Sequence, residues 1–208
     1  MDKASEALIG SWQKRNIQGF YCQTKAEAVS KVLSLIPSGA GVGISGSVTL
    51  DQLCVVRDLE SSGRNVFNQY KAGLSREESL KARKQGAEAD YYLSGVNAIS
   101  ASGELVFFSA FGHRIAGISN APNVVIVSGT NKITPDLESA IKRAREYATP
   151  LNCKRLKFST PCFDKGVCDN GSCLFPEYRR MCCQVLIIEA EAVANRLKVV
   201  LVGQELGF

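Results

Sequence analysis

A single histidine in 208 residues is the first scarcity of this sequence. It rules out a site built from several imidazoles and leaves no recoverable Ser/His/Asp arrangement for nucleophilic catalysis. Long apolar runs are missing too. The longest, VVIVSG and VLIIEAEAV, fall far short of the roughly 18 residues that a membrane-spanning helix requires. The opening MDKASEALIGSWQKRN scatters its charges and lacks the continuous apolar stretch of a signal peptide. A cytoplasmic location is expected. Charge of one sign is not concentrated anywhere: 25 Lys and Arg alternate with 20 Asp and Glu, without an aromatic-interleaved basic stripe or zinc-finger spacing. The net charge of +5 therefore reads as a solvated surface with a modest positive excess, and no nucleic-acid partner is expected. There is no low-complexity tract and no internal repeat. At 45% hydrophobic residues the chain is long enough to bury the core of one domain.

Cysteine, by contrast, is present in a tight group. Five of the eight fall in TPCFDKGVCDNGSCLFPEYRRMCC, residues 160–183. In a reducing compartment such clustering favours metal or redox chemistry over structural disulfides. Cys162, Cys168, Cys173 and Cys182 follow the spacing C-x5-C-x4-C-x8-C, with Cys183 adjacent as an alternative fourth ligand. Four thiolates in one irregular segment can converge on a soft ion, and Gly166 and Gly171 let the backbone wrap it. The spacing matches neither the paired C-x2-C of zinc ribbons nor the run of bacterial ferredoxins, so it does not identify the metal. An iron-sulfur cluster, zinc, and thiols without metal all remain open. Cys22 and Cys54 lie in apolar strand and helix patterns and are expected in the core. Cys153 is ambiguous and stands outside the ligand set.

Strand and helix signals alternate along the chain. Leu8, Ile9 and Trp12 mark a helix over 3–16, and GFYCQT reads as a strand. Thr24, with Glu27 after it, caps a helix that Pro37 and Ser38-Gly39 end. AGVGIS is a small-residue strand, followed by one helix, SVTLDQLCVVRDLESSG, closed by Gly63. RNVFNQY and DYYLSG are strands on either side of the polar helix SREESLKARKQGAEA. Residues 97–108 form two short strands about the turn Ala101-Ser102-Gly103, and NVVIVSG is a buried strand. Asp136 opens the helix DLESAIKRAREYA, which Pro150 is expected to close. QVLIIEA and LKVVLVG are the last strands. This alternation argues for an α/β fold with a mostly parallel sheet covered by helices. One domain spans 1–208, with N-terminal helices and a strand over 1–36. A cysteine-rich loop over 151–184 is inserted before the last strands.

GVGISG, residues 41–46, fits the letters G-x-G-x-x-G, but Gly41 and Gly43 fall inside the short strand. No acidic residue closes a second strand at the distance a dinucleotide site needs. A broader reading places the end of the strand at Ser45-Gly46-Ser47 and the start of a helix at Thr49, where hydroxyls and free N–H groups suit an anion. Equally, Ser47 or Thr49 is a plain helix cap that binds nothing.

Read in order, GISGSVTL, ADYYLSGVNAISASGELVFF, FGHRIAGIS, APNVVIVSGTNKI, DLESAIKRAREYATPLNCKRL, TPC and KVVLVGQELGF resemble the LUD-domain family, named for lactate utilization. The chain is similar to a standalone, single-domain member akin to the lactate utilization protein C group. The resemblance implies a three-layer Rossmann-like sandwich of the ribose-phosphate isomerase, glucosamine-phosphate deaminase and CoA-transferase kind. It also implies company with iron-sulfur and oxidoreductase partners in lactate oxidation, which favours an iron-sulfur cluster at the cysteines. In that fold the ligand site would gather Gly43, Ser45, Ser47 and Thr49 near Asn97, Asn131 and Lys132. Lys132 would hold a carboxylate or phosphate as a point charge, the two Asn would orient its oxygens, and Arg114 would add a bidentate contact. At His113 the family pattern more often carries a small or amide residue, which favours a structural role over a general base. The expected function is an electron-transfer accessory of organic-acid or redox metabolism with a small-anion site. The rivals are an enzyme acting on a small carboxylate or phosphate, and a non-catalytic ligand-binding protein with structural zinc.

Overall fold

The computed structural model describes residues 1–169 and 172–208. Two sheets organise it. The larger has six strands, all parallel, in the order β1 (Gln18–Cys22), β10 (Leu197–Val202), β7 (Asn123–Gly129), β4 (Tyr91–Gly95), β2 (Gly41–Ile44) and β3 (Asn65–Phe67). Its central strands are apolar on both sides because both faces are covered. Along β7, Val125 and Val127 point one way and pack under helices α2 (Lys25–Leu35), α3 (Val48–Leu53) and α4 (Val55–Ser61). Val124 and Ile126 point the other way, toward α1 (Lys3–Lys14), α6 (His113–Asn120) and the inner face of the second sheet.

That second sheet runs β8 (Ile133–Thr134), β5 (Ala98–Ser100), β6 (Leu105–Ser109), β9 (Gln184–Ile188). The hairpin β5–β6 is antiparallel about the turn at 101–103, which Trp12 Nε1 holds from α1 by donating to Gly103 O at 3.0 Å. The outer face of the small sheet is closed by α7 (Leu137–Arg143), whose Ala140 packs with Ala98, Val106 and Cys182. The fold is thus a layered, Rossmann-like α/β sandwich with a mostly parallel central sheet. Helix α5 (Arg76–Ala87), opened by a complete Ser75/Glu78 capping box, lies against β2 and β3.

Four expectations need correction. The helix after β2 is two helices, broken at Cys54, whose φ of 54° is left-handed. The break turns Cys54 out of the apolar stripe, and its side chain is exposed rather than in the core, whereas Cys22 is buried. Pro150 does not end the helix opened by Asp136. Residues Ala144–Ala148 widen into a π-turn, Thr149 bonds back to Ala144 O through both N–H and hydroxyl, and α8 (Thr149–Leu156) continues with Pro150 near its start. The cysteine-rich stretch 151–184 is accordingly not one loop: it contains the end of α8 and the short α9 (Pro161–Lys165).

Candidate functional site

The carboxyl ends of β2 and β4 and the end of β6 open into a cleft of about 440 Å³. Parallel strands place their C-terminal turns on one edge, and an open crevice there is the usual ligand position in such sheets. The floor is β2's continuation, Ser45-Gly46-Ser47. Ser47 caps α3 by accepting from Leu50 N at 3.4 Å, and Ser45 Oγ lies 2.7 Å from Ser94 Oγ. Ser47 is therefore a genuine cap as well as a cleft residue.

Arg114, in the first turn of α6, spans the cleft. Its guanidinium donates to Asn97 Oδ1 at 2.8 Å and to Gly46 O at 3.1 Å. Asn97 Oδ1 also accepts from Phe108 N at 2.9 Å, so its amide orientation is set by two donors. Behind it, Lys132 is buried, 3% exposed, and donates to Thr49 Oγ1 at 2.8 Å and Val96 O at 3.1 Å. Burial, with Arg114 and Arg143 close by, pushes its ammonium down to about 7. Arg143 stands outside the cleft, bound to Asn97 O at 2.7 Å and Asn131 O at 3.1 Å.

The opposite wall carries a directed hydrogen-bond relay. Arg83 Nε donates to Gln69 Oε1 at 2.8 Å, which fixes the amide, so Gln69 Nε2 donates to the Tyr70 hydroxyl at 3.1 Å. The same hydroxyl lies 3.1 Å from His113 Nε2. Nδ1 of that ring is buried with no hydrogen-bond partner among the described residues. Burial first, then the Arg83 and Arg114 charges, lower His113 to about 4, so it is neutral at physiological pH.

Of the residues expected to bind ligand, Ser45, Ser47, Asn97, Arg114 and Lys132 line the cleft together. Thr49 reaches it only through Lys132. Asn131 points elsewhere, its amide pairing with Leu206 N and Gly207 O to fasten the segment after β10. Gly43 faces α5, where a Cβ would stand 1.9 Å from Gly86 O. Tyr70, Arg83 and Arg155 were invisible in the sequence as site residues, because each comes from a polar loop or helix with no local signal. Only the topology brings them to one place.

In the cysteine segment, Cys153, Cys162 and Cys182 are buried, and Cys168 and Cys173 are partly so. The Cys162 thiol sits 3.2 Å from Thr160 Oγ1, and Cys153 lies within hydrogen-bond reach of both groups. Burial, with the Cys162 and Cys182 thiols nearby, pushes Cys153 up to about 12. Cys168 and Cys173 also sense the Cys162 and Cys182 thiols. Cys183 is exposed and bonds to Arg180 O at 2.8 Å, which leaves Cys182 as the inward member of the pair. The donor chemistry suits a soft ion. Among the described residues, however, no three such side chains stand close enough to hold a metal as they are, and Gly171 lies outside the described residues. No described helix is long and apolar enough to cross a membrane.

Fold and cleft together define a layered α/β protein with a cleft lined by arginine and lysine at its sheet edge. The LUD-domain model matches residues 5–202, and the chain belongs to that family. No curated protein sequence matches it. Among solved structures it is similar to a DUF162 family protein from Deinococcus radiodurans, with a TM-score of 0.51 at 12% identity, covering 96% of this chain and 94% of the other. More distant likenesses are partial. Ribose 5-phosphate isomerase from Plasmodium falciparum covers 53% of this chain and 52% of its own, at 21% identity and TM-score 0.35. Chaetomium thermophilum eIF2B delta covers 67% and 57%, at 16% identity and TM-score 0.37.

Proposed function

We propose that this chain binds a small organic anion, a carboxylate or phosphate, in the cleft and serves lactate-type organic-acid or redox metabolism. Membership of the LUD-domain family supports a lactate-utilization-related role. The observation that carries the anion is electrostatic. Arg83, Arg114, Lys132 and Arg155 all line the cleft, and among the described residues none of them forms an ion pair with a carboxylate. Cations gathered without counter-ions at a crevice are stabilised when an anion enters. Anionic ligands should therefore raise the melting temperature: at about a hundredfold excess over Kd the gain is about 2.7 kcal/mol, or roughly 5–10 °C for a chain of this size. The absence of any shift with phosphate or simple carboxylates would remove this reading.

A second reading concerns electrons. Cys162, Cys168, Cys173 and Cys182 would hold an iron-sulfur cluster, with zinc as the alternative, and the protein would act as an electron-transfer accessory to an oxidoreductase partner. The grouping of the four thiols in one segment, with Cys162 and Cys182 buried and Cys168 and Cys173 half-buried, supports it, since a bound cluster would draw the segment 166–181 together. Protein purified without oxygen should carry stoichiometric iron and acid-labile sulfide, with visible absorbance. Cys168→Ser should lose most of that metal and become more susceptible to proteolysis within 166–181. Wild-type protein free of both iron and zinc would end the proposal.

A further inference from the structure

The charge and shape of the cleft say more about its occupant than that it is an anion. Three guanidiniums, those of Arg83, Arg114 and Arg155, face the crevice, and among the described residues the only acidic side chain along it is Asp51. Asp51 pairs with none of them. Among the side chains, three fixed positive charges against one negative leave two uncompensated, and a protonated Lys132 makes three. A monocarboxylate would neutralise only one of these.

The hydrogen bonds leave donors free for a ligand. Arg83 spends its Nε on Gln69, and its guanidinium stands over the Phe111 ring at 6.0 Å from the centroid. Among the described residues Arg155 bonds only to Asn152 Oδ1, through Nε and Nη2. Both are thus held at the rim by neutral partners, with no further hydrogen bond from their guanidiniums among the described residues. This is how forks are kept for an incoming oxyanion.

The rest of the wall is apolar. Phe108, Phe111, Leu156, Phe158 and Met181 line the cleft beyond the arginines, and Phe111 remains 63% exposed at its mouth. Phe111 and Phe158 meet edge to face, 6.5 Å between centroids. At about 440 Å³ the cleft lies within the roughly 300–1,000 Å³ range of organic-ligand sites. An exposed Phe111 backed by half-buried Phe158, beside arginines without counter-ions, is arranged for a body that is itself apolar or aromatic.

We infer that the cleft takes an organic ligand carrying at least two negative charges on an apolar body, of which a phosphate monoester is the simplest kind, rather than a monocarboxylate the size of lactate. The inference rests on the anion reading above and narrows it. Four probes separate charge from body: phenyl phosphate has both, inorganic phosphate has the charge, 3-phenyllactate has the body with a single charge, and L-lactate has neither. By titration calorimetry on the full chain, phenyl phosphate should bind about tenfold or more tightly than each of the others: over 3-phenyllactate and L-lactate because one further charge at close range among arginines is worth about that factor, and over inorganic phosphate because the phenyl body buries apolar surface against Phe111 and Phe158. Arg83→Ala and Arg155→Ala should each erase most of its advantage over 3-phenyllactate, and Phe111→Ala most of its advantage over inorganic phosphate. If L-lactate or 3-phenyllactate binds as tightly as phenyl phosphate, this inference is overturned while the anion site stands. If inorganic phosphate matches phenyl phosphate, the apolar body is wrong. If no probe binds at millimolar concentration, the anion site itself falls, and this inference with it.

Discussion

Gly43→Ala should destabilise the protein by about 3 kcal/mol or more, a loss of roughly 6–12 °C in melting temperature. Gly43 lies in the middle of β2, hydrogen-bonded between β3 and β4, so the strand has little freedom to retreat. A methyl group there would meet Gly86 O at 1.9 Å, Gly86 C at 2.6 Å and Tyr92 Cδ2 at 2.8 Å. Two of those contacts are helix backbone, so relief requires α5 to lift from the sheet as a body. The damage should reach the cleft, because α5 carries Arg83 and, through Ser79 Oγ donating to Gln69 O at 2.9 Å, steadies the loop that holds Tyr70. Gly10→Ala is the control: it lies in a helix interior with nothing within 4 Å of the new Cβ. It should stabilise by about 0.5–1 kcal/mol. Circular-dichroism melts of both variants decide the matter, and a Gly43→Ala melt within about 2 °C of wild type would contradict the packing account.

Gly43 also shows which parts of the molecule the sequence made legible. Its G-x-G-x-x-G letters suggest a nucleotide, its strand context argues against one, and the structure gives the glycine a packing role against Gly86. Features set by neighbouring residues were readable. The caps at Thr24 and Asp136 and the buried run of β7 stand where the pattern places them. Features set by competition between local rules were not. Pro150 ordinarily ends a helix, but a π-turn before it absorbs the missing N–H, and no local pattern announces that turn. The left-handed break at Cys54 sits inside an unbroken helical period. Non-local placement was the least legible. β9 and β10 are consecutive in sequence yet belong to different sheets. The cleft was half visible: Ser45, Ser47, Asn97, Arg114 and Lys132 follow from turn chemistry and family motifs. Tyr70, Arg83 and Arg155 depend on where α5 and α8 dock.

Lys132→Met should make the ligand-free protein more stable at neutral pH while abolishing the deepest cation of the site. The wild-type ammonium is buried, lies near Arg114 and Arg143, and has only neutral oxygens, Thr49 Oγ1 and Val96 O, as partners. Lowering its pKa from 10.5 to about 7 corresponds to a folding penalty of about 4–5 kcal/mol at pH 7. Methionine keeps most of the side-chain length but forfeits the two hydrogen bonds, about 1 kcal/mol each. The variant should therefore gain about 2–3 kcal/mol, or roughly 5–9 °C. The pH dependence carries the diagnostic sign. Between about pH 7 and 10.5 the unfolded chain's lysine holds a proton that the folded one has released, so the wild type gains stability by up to about 1.4 kcal/mol per pH unit while the variant does not. Below about pH 7 both states hold the proton and the difference is flat. The two stability curves should cross near pH 9, above which the wild type is the more stable. Denaturant titrations of both proteins from pH 6 to 10 measure this directly, and a constant difference across that range would mean that Lys132 is charged in the folded protein and held by a counter-ion. A bound dianion should restore the lysine's proton, so ligand binding near pH 8 should be accompanied by proton uptake in the wild type and by none at this position in the variant. The same buried charge that weakens the empty protein is then the one that ligand binding satisfies.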